Sequence, residues 1–480
     1  MAKNLSLFTI LFIMLFQTNV IFGSEPCIVI NDDFKNDLDY GTTNDKLILF
    51  TEGDCFDIYS YDPQTAALKL IKDSCQESSN TYFASRSDKF TVNNNLFFHA
   101  LSHDGTMSPN LWKTDGTENG TIMLDGNIDS DFYINRNGDY HYGIIGNTVY
   151  YPTYYRDDAV LMKTDGTKTG TLPAISPPQP GYSGLNQIWR LTSTGATLFF
   201  LGEDGIHDLG LWKSDGTKAG THRIKDIFGD YTYAHIMIEA YYPLGGDNNI
   251  FFFFNRYTNK ISTNTLWRSD GTAQGTFPLI SNEFNFVNDF EKFGNNLYIF
   301  VASKQQEWGL WKTDGTVNGT TPINISNLQI GSLAKINSHM YFLRASSNSD
   351  GLELWKTDGT PSGTGIVKKF PSGYIPMFFP KLFAFQSKIF FAMDDGIHGE
   401  ELWQSDGTTS GTTLVKDIFP GDLGMSSYPS GFTTINDTLY FSARPNFDDR
   451  PIWAFKVNNT PPPPPPPPKT IPFGIFLLLE

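Results

Sequence analysis

Cysteine is scarce in this chain: three residues in 480, at positions 27, 55 and 75. No CxxC pair or neighbouring His pair accompanies them, which argues against a structural zinc site. Basic clusters are missing too. With 35 Lys and Arg against 51 Asp and Glu, the formal charge is −16 and the pI about 4.9. Nucleic-acid backbones are held by clustered Lys and Arg, so this balance argues against a polyanionic partner. Helical periodicity is nearly absent: the apolar runs are short, β-branched or aromatic, and bounded by Gly, Asn, Asp and Pro, as in strands. No G-x-S-x-G elbow, P-loop or HExxH occurs.

Long apolar runs are confined to the ends. Residues 1–23 place one Lys, an apolar stretch and the small residues Gly23 and Ser24 in the order of a secretory signal peptide, with cleavage expected near Gly23. A retained membrane anchor over Leu5 to Phe22 is the competing expectation. At the other end, Pro461 to Pro468 are eight consecutive prolines, which form a stiff polyproline II stalk within the segment 458–480. The closing apolar run of about nine residues is too short to span a bilayer, so membrane attachment rests on the N-terminus or on a longer C-terminal tail. In a secretory setting Asn119, Asn318, Asn324, Asn436 and Asn458 are glycosylation acceptors. Cys55 and Cys75 flank a hairpin-like segment and are the expected disulfide, although Cys27 with either of them remains open.

What is abundant is one phrase. "LWKTDGTENGT" begins at Leu111, and six near-copies begin at Leu161, Leu211, Leu266, Leu310, Leu354 and Leu402. The aromatic position is Trp112, Trp212, Trp267, Trp311, Trp355 and Trp403, with Met162 as the exception. Weaker copies carry Tyr59 and Trp453, and successive positions are separated by 44 residues (267 to 311) up to 55 (212 to 267). That is the period of a propeller blade. An aromatic run such as "TLFFLGE", a loop, the Leu-Trp strand, the Asp-Gly-Thr turn and a last strand make each unit. The architecture expected over 24–457 is therefore all-β: a single β-propeller of eight to nine four-stranded blades. "CIVIN" from Cys27 is a strand without a unit and the last unit lacks its final strand, so the N-terminal strand is expected to close the ring. Leu and Trp are neighbours on a strand and face opposite sides, which suits a sheet sandwiched between two others.

The phrase resembles the repeat of microbial extracellular proteins with tandem "ELWxxDGT" units, some labelled hyalin-like. The resemblance covers nearly all of residues 40–457. Only Glu353 and Glu401 keep the acidic residue before Leu. The family carries no activity to transfer, so the resemblance implies architecture and an extracellular setting.

The repeated polar positions carry the candidate chemistry. Asp115, Asp165, Asp215, Asp270, Asp314, Asp358 and Asp406 read as acceptors in structural turns, since Asp favours such turns through its backbone hydrogen bonds. Calcium is the alternative cofactor, but it wants several carboxylates together and the phrase offers one per turn. The Trp series reads as packing between blades. Trp189 and Trp308 lie outside the register and are better binding candidates. Asp157, Asp158, Asp394, Asp395, Glu400 and Glu401 are the acids a glycoside hydrolase or lyase would draw on, and His103, His207 and His398 recur near "DG" loops as solvated positions. The reading that unites these features is a secreted or cell-surface module for binding or adhesion, whose partner is an extracellular protein or glycan. A carbohydrate-active enzyme on the same scaffold, or a structural matrix protein, are the alternatives.

Overall fold

The computed structural model describes residues 27–31 and 39–456, apart from position 44 and the segments 51–56, 74–80, 83–88, 103–108, 126–131, 134–141, 156–157, 176–184, 186, 205–208, 228–240, 244–249, 259–260, 304–307, 324–328, 346–350, 371–379 and 422–424. Every regular element among these residues is a β-strand. Antiparallel pairing groups the strands into nine four-stranded blades. Blade 1 is Asp39–Thr42, Leu47–Phe50, Ile58–Asp62 and Ala67–Lys72, so the segment between Cys55 and Cys75 belongs to a full blade. Blade 4, Gln187–Thr194, Thr197–Glu203, Gly210–Ser214 and His222–Asp226, shows the order common to all: aromatic run second, Leu-Trp strand third.

Local deviations are small. In blades 2 and 3 the first strand is interrupted, two short pieces pairing with the same second strand. Between blades 5 and 6 one 17-residue strand, Phe277–Phe293, ends the first blade and begins the next, pairing with Ile261–Ser269 and then with Asn296–Ser303.

The ring closes as the stray N-terminal strand requires. Cys27–Asn31 pairs antiparallel with Ile452–Lys456, Val29 opposite Trp453, and supplies the fourth strand of blade 9. Nine apolar clusters then fill the nine seams, the last joining Leu47 and Leu49 of blade 1 to Ile435, Tyr440 and Ile452 of blade 9. Across that seam the Tyr40 hydroxyl donates to the Gly431 carbonyl.

The Leu-Trp pair explains how each seam is built. Leu211 of blade 4 packs with Phe252 and Trp267 of blade 5, while Trp212 packs back onto Tyr150 and Leu161 of blade 3. The seven motif leucines are at most 1% exposed, and each such burial is worth roughly 1.5–3 kcal/mol. Trp112, Trp212, Trp267 and Trp355 also stack on an aromatic ring of their own second strand, as in Phe200–Trp212 at 6.3 Å and Phe342–Trp355 at 6.1 Å. First strands of successive blades contact one another and fourth strands such as Ala67–Lys72 are exposed, so the first strands surround the axis and the fourth form the rim.

Candidate functional site

Antiparallel order gives the ring two unlike faces. The turns joining strands one to two and three to four emerge at one end of every blade; the connections from two to three and from a blade to its successor emerge at the other. The first face is built from tight, self-satisfied turns. In every blade but 1 and 5, two-residue hairpins join strands one and two, with left-handed residues such as Asn93 and Asn94 (φ 48° and 64°) or Asn436 (φ 54°), and this twist matches the flanking strands. The three-to-four turns are the repeated phrase.

In all seven copies the phrase closes on itself. At Asp215 the carboxylate accepts the Thr217 backbone N–H at 2.9 Å and the Thr217 hydroxyl at 2.7 Å; Thr217 Oγ1 accepts the Gly220 N–H at 3.1 Å. Below this, Ser214 Oγ meets Thr221 Oγ1 at 2.7 Å and accepts the Gly216 N–H at 2.9 Å. A Cβ at Gly220 would overlap the Asp215 carboxylate, which is why the last glycine of the phrase never varies within the chain. The Thr hydroxyl bond is the largest influence on Asp165, Asp215, Asp314 and Asp358 and holds their carboxyls below the usual range. At Asp115 and Asp270 burial pushes upward, but the same bonds outweigh it. No group of three or more His, Cys, Asp or Glu side chains suited to a metal occurs among the described residues.

The phrase also grips the preceding blade, a role the sequence did not disclose. Lys213 Nζ donates to the Gly271 carbonyl at 2.8 Å, Arg268 to Gly315 at 2.8 Å, Lys312 to Gly359 at 3.3 Å and Lys356 to Gly407 at 3.2 Å. Thus in blades 4 to 7 the residue after the Trp reaches the turn of the following blade, whereas Gln404, after Trp403, bonds Lys388 and Thr413 within its own blade. The second-strand aromatic of the earlier blade covers the same glycine: Phe199 lies over Gly271, and the Tyr341 hydroxyl fills the space a Cβ at Gly407 would need. The residue type was visible, but its partner lies some fifty positions downstream.

On the opposite face, the seam of blades 8 and 9 carries loops organised by their own side chains. The loop 394–399 is organised by two carboxylates: Asp394 accepts the Gly396 N–H at 2.7 Å, and Asp395 accepts the Ile397 and His398 N–H groups at 2.9 and 3.0 Å. Asp395 also pairs with His398 Nδ1 at 2.9 Å, which raises the imidazole above its ordinary value. In blade 9, Asn446 Oδ1 accepts the N–H groups of Asp448 and Asp449 at 2.8 Å each. The link between the blades is pinned by Glu401, which accepts the N–H groups of Ile418 (2.8 Å), Phe419 (3.3 Å) and Ser427 (3.1 Å) and the Ser427 hydroxyl (2.6 Å). Burial nevertheless pushes Glu401 upward. Its neighbour Glu400 stands opposite Asp394 in the register, and burial, then Asp394 and Glu401, raise it to about 7.

The structure separates the other candidates. Glu353, the second acid before a motif Leu, is buried and accepts the Trp355 indole N–H at 2.8 Å, with Lys369 at 2.8 Å and Arg344 at 3.9 Å. Trp112 and Trp403 are buried, and Trp212, Trp267, Trp311 and Trp355 half-buried, each against the preceding blade. Trp189 is half-buried in the cluster between blades 4 and 5. Trp308 opens the third strand of blade 6 and Asp158 that of blade 3. Asn119, Asn318 and Asn436 are exposed and sit on the face of tight turns. Cys55, Cys75, His103, Asp157, His207, Asn324 and Asn458 lie outside the described residues.

No family model and no curated protein matches the chain. Solved structures do. A puromycin hydrolase matches at 12% identity and a TM-score of 0.38, over 64% of this chain and 50% of its own, so the chain spans about half the length of that relative. Sqt1 of Saccharomyces cerevisiae matches at 10% identity and 0.41, over 91% of this chain and 100% of its own. The β-propeller domain of the Trilobed protease from Pyrococcus furiosus matches at 12% identity and 0.34, over 70% and 98%. At such values the fold rests on the strand pairing itself: the chain is a closed propeller of nine blades.

Proposed function

We propose that this chain is an extracellular or cell-surface binding and adhesion module of the "ELWxxDGT" repeat kind, which engages a protein or glycan through the face opposite the repeated turns. The observation that carries this reading is the unequal spending of polar groups. Seven turns bond their own Asp, Ser and Thr side chains internally, and four of them are hooked by the preceding blade, whereas the connections on the other face differ in length and composition from blade to blade. Variable loops on a rigid scaffold are where recognition is placed. Exposed Asn119, Asn318 and Asn436 would carry glycans on the turn face, clear of the partner.

The test is a glycan array probed with the secreted fragment from Ser24 to Asn459, with and without calcium. Retention of intact glycans supports the module. Calcium-dependent retention would overturn the structural role given to the motif aspartates. A second reading, a glycoside hydrolase or lyase, is favoured by one observation: Glu400, raised to about 7, faces Asp394 across the strands, an acid beside a carboxylate. Cleaved products on the array, abolished by Glu400→Gln, would establish it.

A further inference from the structure

Exposed large apolar side chains are scattered over several blades, but the most exposed of them gather at one place. Among the described residues the two most exposed are Phe447 at 74% and Ile397 at 67%, and both belong to the blade 8–blade 9 seam, as does Tyr428 at 44%. They sit on three different loops that are knitted together: the N–H groups of Ser427 and Tyr428 donate to the Glu400 carbonyl, Arg444 N–H to the Ser427 carbonyl, and Arg450 to the Tyr428 carbonyl at 2.9 Å. Phe447 rests edge-on against Phe419 at 5.0 Å, leaving most of its ring outward.

These side chains are not on loose loops. Ile397 is the third residue after Asp394 in a loop whose backbone is bonded to Asp394 and Asp395, and Phe447 follows Asn446, whose side chain holds the next two N–H groups. Two side-chain-capped loops thus present an Ile and a Phe to solvent in fixed positions. Exposed apolar surface of this kind marks interaction sites, and a preorganised aromatic anchor is the usual centre of a binding hot spot. Around the two anchors stand Asp394, Asp395, Glu400, Asp417, Asp448 and Asp449. Burial, then Asp394 and Glu401, make Glu400 hold its proton more tightly, and the hydrogen bond to Asp395 does the same for His398. Arg450 is engaged with Tyr428 and Ser430, and the His398 imidazole with Asp395.

We propose that the blade 8–blade 9 seam is a protein-docking site in which Ile397 and Phe447 enter apolar hollows of a partner whose surrounding surface is rich in Lys and Arg. This rests on the binding-module reading and names its partner class. A protein fits better than a sugar, because Ile397 offers neither a flat aromatic face nor a hydrogen bond and the two anchors protrude. Charge complementarity adds rate and selectivity to the apolar contact.

The experiment selects a displayed random-peptide library on the full secreted chain and measures the enriched peptides against Ile397→Ser, Phe447→Ser and Asp448→Lys variants. All three sites are exposed, so melting temperatures should match the parent, and this is checked first. The expected result is enrichment of aromatic or aliphatic residues flanked by Lys and Arg, binding weakened about tenfold or more by either Ser variant, and weaker binding at high salt and with Asp448→Lys. Enriched peptides without basic excess, or peptides that bind both Ser variants as well as the parent, would overturn the proposal. Absence of any enrichment overturns it as well. In each of these cases glycan-array retention unaffected by Ile397→Ser and Phe447→Ser would leave the module reading standing with its site elsewhere; no retention together with no enriched peptide would remove both.

Discussion

At the residue scale, the two glycines of the phrase are required for different reasons. Gly271 has φ 82° and supports Phe199 and the Lys213 hook, whereas Gly275 must lack a Cβ because its own Asp270 occupies the space. Gly275→Ala should therefore cost about 1–3 kcal/mol, the range of a strained local conformation, read as a lower midpoint in urea unfolding. Lys213→Met keeps the stem and removes the donor to Gly271. Its expected cost is smaller, about 0.5–1.5 kcal/mol for one hydrogen bond to a carbonyl. Trp403→Ala should cost more than either, about 3–5 kcal/mol, since the indole fills the seam beside Phe370 at 5.0 Å.

At the element scale, the hairpin of blade 1 sets up a covalent test. Ile58 pairs with Lys72, and Cys55 lies three residues before the one as Cys75 lies three after the other. A Cys55–Cys75 bridge would close the ends of this hairpin, and a bridge across a loop of this size is worth about 3 kcal/mol. Non-reducing peptide mapping of secreted protein should recover Cys55 linked to Cys75 with Cys27 free; linkage through Cys27 would reject the pairing. The N-terminal strand has the larger burden, because it alone completes blade 9. Removing residues 1–31 leaves three strands there and an uncovered edge, and the expected outcome is a lower, broader melting transition with aggregation.

For the whole molecule, buried acids and turn acids pull stability in opposite directions with pH. Six motif aspartates have depressed carboxyls, so the stability they contribute is present above about pH 4 and is lost as pH falls through their folded values. Asp125 is the reverse case. Burial raises it to about 7 although both its oxygens accept the Leu111 N–H, and Glu400 is raised to about 7 by burial and its acidic neighbours. For a raised acid, folding is favoured while the group stays protonated, and that advantage declines as pH climbs from about 4, where the unfolded chain ionises, to about 7. The melting temperature should therefore be highest near pH 5 and lower at pH 8. Asp125→Asn should raise it at pH 8 with little change at pH 5.

The amino-acid sequence by itself determined the repeat, and through the repeat the strands. Seven copies at blade spacing, each with an apolar pair on one strand and Asp-Gly-Thr after it, can be read without coordinates, because turn geometry and two-sided burial are local demands. The ring closure was readable for the same reason: one strand was missing at the end and one was surplus at the start. Tertiary structure alone decided the partners. The hook from Lys213 to Gly271 joins residues of different blades, and the exposure of Ile397 and Phe447 depends on how three loops from two blades meet. No periodicity encodes such contacts, since loop residues answer to their spatial neighbours and not to a shared pattern. The repeat therefore marks the residues that hold the ring together, while the surface that meets a partner is made where the repeat is silent.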